Sequence, residues 1–90
     1  MRHLPKYKAL KAIYDTRGRI FSAVFIKKDG SIRKMVARTG VTKYIKGGEH
    51  TVKAKNNLLT VYDMAKGGYR TINLNTLLRL KANGEQYEVI

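Results

Sequence analysis

The sequence predicts a mainly β fold, a small barrel of five to six strands behind a short N-terminal helix. Three observations carry that expectation. Short runs rich in Ile, Val, Phe, Tyr and Thr recur along the 90 residues, each bounded by a turn signal. Asp29-Gly30 and Asn83-Gly84 are dipeptides that join antiparallel strands tightly, and Ala65-Lys66-Gly67-Gly68 separates two further apolar runs. Residues 5–14 have the spacing of a short helix.

That helix opens with Pro5, which suits a first turn, and Leu10, Ile13 and Tyr14 share a face with Lys6. Thr16-Arg17-Gly18 ends it, with Gly18 as a left-handed cap. Arg19–Lys27 reads as a central strand, because Phe21/Ala23/Phe25 and Ile20/Val24/Ile26 make both of its faces apolar. Lys28-Asp29-Gly30-Ser31 turns the chain, with Asp-Gly supplying positive φ, and Ile32–Arg38 returns. Residues 39–57 form a long basic connection with a helical turn at Val41–Ile45. A loop of that length in a small domain is functional or mobile. Leu58–Met64 and Tyr69–Asn73 form a second hairpin, and Leu74–Leu78 reads as one helical turn. Arg79–Ala82 and Gln86–Val89 form the last hairpin across Asn83-Gly84. The organisation is a basic N-terminal helix and cap over residues 1–18, then a barrel over 19–90 that carries the loop 39–57.

The charge is lopsided. Of a net +13, residues 1–57 hold +12, from fifteen Lys/Arg against Asp15, Asp29 and Glu49, and residues 58–90 hold +1. Self-repulsion on this scale opposes compaction, so the excess points to a polyanionic partner, nucleic acid first among them. With no Cys there is no disulfide framework and no thiolate metal site. His3 and His50 lack metal-ligand spacing, and no metal or cofactor is expected. The N-terminus has no apolar signal region, and no run is long enough to span a bilayer. The expectation is a cytoplasmic protein without a membrane partner.

The run Leu58-Leu59-Thr60-Val61-Tyr62-Asp63, a glycine-bearing turn, and Tyr69-Arg70-Thr71-Ile72-Asn73-Leu74-Asn75 resemble the WYL-domain pattern of W-Y-L-x-x-Y-D, turn, Y-R-x-F-R-L-D-R-I. Residues 20–89 resemble most the small, often phage-encoded variety of that family. The resemblance implies an Sm-like, SH3-like β-barrel, and it implies ligand or nucleic-acid contact at Arg70. Asn57-Leu58-Leu59 stands where the family has Trp-Tyr-Leu, while Asn73, Thr76 and Asn75 stand in place of its later arginines and aspartate.

The candidate phosphate-binding residues are Arg33, Lys34, Arg38, Lys43, Lys46, Lys53 and Lys55, with Lys66 and Arg70 at one end. Tyr44 and Tyr69 sit among them as candidate base-stacking groups, although Tyr62, Tyr69 and Tyr87 also read as half-buried barrel residues. A period of two places Arg33, Met35 and Ala37 on one strand face and Lys34, Val36 and Arg38 on the other, so these cations do not all converge. The expected function is non-enzymatic binding of DNA or RNA, single strands favoured, with weak sequence preference and a regulatory role. A module that docks on a host protein is the alternative. Ser22 and Ser31 lack a nucleophile context; a small metal-free ribonuclease would have to use His50, Arg70 and Tyr87. The strand Gln86–Val89 is expected to offer an edge for self-assembly.

Overall fold

The computed structural model describes residues 1–39 and 57–90, together with the two-residue strand formed by Ala54–Lys55. The expected helical turn Val41–Ile45 lies outside the described residues.

The order is β1 (Arg2–Leu4), a 3-10 turn (Lys6–Lys8), α1 (Ala9–Tyr14), β2 (Phe21–Ile26), β3 (Ile32–Arg38), β4 (Ala54–Lys55), β5 (Leu58–Asp63), β6 (Gly68–Asn73), a 3-10 turn (Leu74–Thr76), β7 (Leu77–Ala82) and β8 (Glu85–Val89). All six expected strands are present, and the short strands β1 and β4 join them in one bent sheet. Its path runs β1-β8-β7-β2-β3-β5, and β5 carries β6 along one edge and both β3 and β4 along the other. This mainly β architecture fits an Sm-like SH3 barrel.

β2 is central, as its composition demands, with β3 on one side and β7 on the other. Phe21, Ala23 and Phe25 are buried. The opposite face is only half-buried at Ser22, Val24 and Ile26, and Ile20 is exposed ahead of the strand, so one face meets the core rather than two. Leu59, Val61, Ile72, Leu77 and Leu80 complete the core across the sheet. Leu77 and Leu80 are three residues apart and would face opposite ways in a regular strand. A bulge between Val24 and Phe25 on the β2–β7 ladder leaves Leu78 extra, and both leucines point inward. The expected helical turn therefore stops at Thr76, and Leu77 already belongs to the strand. Thr76 ties this junction down, its hydroxyl donating to the Ile26 carbonyl at 2.7 Å.

The turns follow the glycines with one change. Gly30 has φ +86°, whereas Asp29 stays outside the left-handed region. The Gly30 N–H bonds the Lys27 carbonyl, and the Asp29 carboxylate accepts the N–H and hydroxyl of Ser31 at 2.9 and 2.6 Å. Asp29 thus serves by its side chain, and the hairpin is a longer one with a left-handed Gly. Asn83 and Gly84 have φ +55° and +75°, as the tightest hairpin turn requires. Gly18 is left-handed after α1, joined by Arg17. In α1 the buried residues are Ala9 and Ile13, one turn apart, while Tyr14 is exposed rather than sharing the inner face.

One expectation fails at the sheet edge. Gln86–Val89 is not open, because β1 pairs parallel to β8 from Arg2↔Tyr87 to Leu4↔Val89. The backbone bonds Lys6 N–H to Ile90 O and Ile90 N–H to Leu4 O extend that seal.

Candidate nucleic-acid interface

The alternation of β3 sorts its cations. Met35 and Ala37 are buried, and Arg33 shares their face; Lys34, Val36 and Arg38 are exposed on the other. Pairing of Ala37 with Asp63 sets the Asp63 carboxylate on the inner face as well. An ionised carboxylate that is only 1% exposed needs partners, and it has three. Arg33 Nη2 donates to Oδ2 at 2.6 Å, and the backbone N–H groups of Ala65 and Lys66 donate to Oδ1 at 3.0 and 3.1 Å. Arg33 is thereby held in place, with 24% of its side chain exposed.

Beside this pair, between the β2–β3 hairpin and β6, lies a groove of about 410 Å³. Phe25, Met35 and Leu58 supply apolar surface, Lys27, Lys28, Arg33 and Arg70 supply charge, and Thr71 and Asn73 supply polar side chains. Arg70 arrives there by register. It pairs with Val61, and Ile72 pairs with Leu59, so all four share the core-facing side, and Arg70 alone emerges to solvent. Its Nη1 donates to the Tyr69 carbonyl at 2.8 Å. Gly68 leaves room for that guanidinium, since a Cβ there would lie 3.3 Å from Nη1. Lys27, Lys28 and Arg70 have no carboxylate partner among the described residues.

Of the residues chosen from sequence, Arg33 and Arg70 meet in the groove. Lys34 and Arg38 lie on the opposite side of the sheet. Tyr69 pairs across the ladder with Tyr62 on the outer side of β5–β6, the rings edge-to-face with centroids 5.5 Å apart. Tyr62, Tyr69 and Tyr87 are all half-buried. Lys66 is exposed in the turn after β5. Lys55 pairs with Leu58 in the β4–β5 ladder. Lys43, Tyr44, Lys46, His50 and Lys53 lie outside the described residues. Lys27 and Lys28 are additions from the structure, and the sequence carries a signal for the first. The alternation Phe21, Ala23, Phe25 carries Lys27 onto the inner side, at the mouth of the core.

The sequence model of the WYL_2 family, described as an Sm-like SH3 beta-barrel fold, matches residues 9–78. The chain belongs to this family. No curated protein and no solved structure matches it. The WYL_2 match runs from α1 to the first residues of β7, so it takes in every residue of the groove and leaves β1 and β8 outside. In this WYL_2 member the groove sets cationic side chains beside apolar ones. Among the described residues no three His, Cys, Asp or Glu gather in a metal-binding group, and no helix is long and apolar enough to cross a membrane.

Proposed function

We propose that this WYL_2 protein binds nucleic acid, preferring single strands, and acts as a binding module of weak sequence preference. The observation that carries the reading is the groove, where the exposed Leu58 and the edges of the buried Phe25 and Met35 adjoin the cations Lys27, Lys28 and Arg70. An unpaired base has an apolar face to set against Leu58 in the groove, while its flanking phosphates meet the cations. A duplex keeps its bases stacked and offers only its phosphates here, which is why single strands are favoured. The groove volume falls within the range of small-ligand sites. The net charge of +13 supplies long-range attraction.

Fluorescence anisotropy with labelled single-stranded and duplex DNA and RNA, titrated at several salt concentrations, tests the proposal. Binding to single strands whose log affinity falls linearly with log salt supports it. Absence of binding at low salt refutes it and directs attention to an acidic protein partner.

A further inference from the structure

The β2–β3 hairpin is basic on both of its sides. Toward the groove it presents Lys27, Lys28 and Arg33. Away from the groove, register sets Lys34 and Arg79 on either side of Val24, and Val36 and Lys81 on either side of Ser22. The bulge at Leu78 fixes this arrangement, because it turns Arg79 and Lys81 outward while Leu77 and Leu80 stay in the core. The result is a shallow depression of about 310 Å³ whose lining includes Ser22, Val24, Lys34, Arg79 and Lys81. Arg38 extends the β3 row beyond it. The two cation rows stand about 10 Å apart, two strand spacings, across a strip of small and half-buried side chains. Glu88, opposite Arg79 on β8, borders the patch, whereas Gln86 stands opposite Lys81. No ion pair engages Lys34, Arg38, Arg79 or Lys81 among the described residues.

We infer that this outer face is a second site for a phosphate backbone, so that one copy of the protein holds two nucleic-acid strands and brings them together. The inference rests on the nucleic-acid reading of the groove. Charge complementarity selects the occupant: a strip without a deep apolar slot and lined by cations on both sides takes a sugar-phosphate backbone rather than a base. One layer of sheet separates it from the groove, so a strand in one site leaves the other open. Linking two sites on one rigid domain raises the local concentration of one strand near another.

The test mixes two non-complementary single strands, one carrying a donor dye and the other an acceptor, with the full chain at rising ratios. Energy transfer is expected to peak near one protein per two strands and to fall in protein excess, as each strand gains its own copy. The variant Lys34→Glu/Arg79→Glu/Lys81→Glu is expected to keep strand binding by anisotropy and to lose the transfer peak. All three residues are exposed; the Gln triple variant serves if the Glu variant fails to fold by circular dichroism. Anisotropy change without energy transfer at any ratio overturns the inference alone, as does transfer that survives the outer-face variants. No anisotropy change with any strand overturns the nucleic-acid reading itself.

Discussion

Replacing Asp63 with Ala should cost this domain about 3 kcal/mol or more. The carboxylate is 1% exposed and accepts from Arg33 at 2.6 Å and from two backbone N–H groups at 3.0 and 3.1 Å. Removing one member of a buried pair leaves the other charge uncompensated, at a typical cost of about 3–5 kcal/mol. Arg33 keeps 24% of its side chain exposed and can turn toward water, which argues for the low end. The orphaned N–H groups of Ala65 and Lys66 sit in a turn open to solvent and add little. Against a total stability of about 5–15 kcal/mol the loss is large. At an m-value of roughly 1–1.5 kcal/mol/M, the urea midpoint should fall by about 2–3 M. Circular dichroism during urea titration at neutral pH reads it directly. A loss under about 1 kcal/mol would show that the pair is not buried as described, and the account of how Arg33 is held would fall with it. The double variant Arg33→Met/Asp63→Leu sharpens the test, because removing both charges should be less harmful than removing either alone.

Three further outcomes are expected. Neutralising the groove with Lys27→Gln/Lys28→Gln/Arg70→Gln should flatten the salt dependence of single-strand binding by about 2 log units per log unit of salt, at roughly 0.7 per phosphate contact; an unchanged slope in the anisotropy titration would place the phosphates elsewhere. Gly84→Ala should destabilise by about 1 kcal/mol, measured by thermal melting, from the φ of +75° alone, since nothing lies within 4 Å of the added Cβ. The Asp29 carboxyl should titrate below the ordinary aspartate range in NMR, because the Ser31 hydroxyl and N–H both favour its charged form; with the folded pKa depressed, its contribution is present above the unfolded value and is lost as pH falls through the folded one, and Ser31→Ala should move the midpoint back up.

The fold was legible wherever one local rule decided the outcome. Asn83-Gly84 demanded a two-residue hairpin and made one, and Phe21/Ala23/Phe25 demanded a buried strand face. The misses lie where distant parts of the chain decide. Arg2–Leu4 is too short and polar to announce a strand, and it pairs only because β8 offers an edge. The helical turn expected over Leu74–Leu78 overruns the real one, Leu74–Thr76, because Leu77 pairs with Phe25 across a bulge that only the β2 partner reveals. The groove was half-visible. Arg33 and Arg70 were identified, but their meeting depends on the register that sets Arg70 opposite Val61, which no spacing within β6 reveals. Arg33 also differs from the free cation its sequence context suggests, since Asp63, thirty residues away, takes its charge.

That pairing bears on how a domain with so much positive charge keeps a defined site. Most of the described cations lie on exposed faces, where water and salt screen their mutual repulsion. Among the described cations Arg33 is the one that is not exposed, held at the inner side by its place in β3 beside Met35. Without a counter-charge it would either leave the core or carry an unpaired charge into it. Asp63 removes that choice, and its other oxygen fastens the turn from which β6 departs. The same carboxylate therefore fixes the position of β6, and with it Arg70, relative to the β2–β3 hairpin that carries Lys27 and Lys28. One acid lowers the local charge of the groove by one unit and in return holds its two walls in register. Among the described residues, the cations without carboxylate partners, at the rim and on the outer face, are then the ones with charge to offer a phosphate.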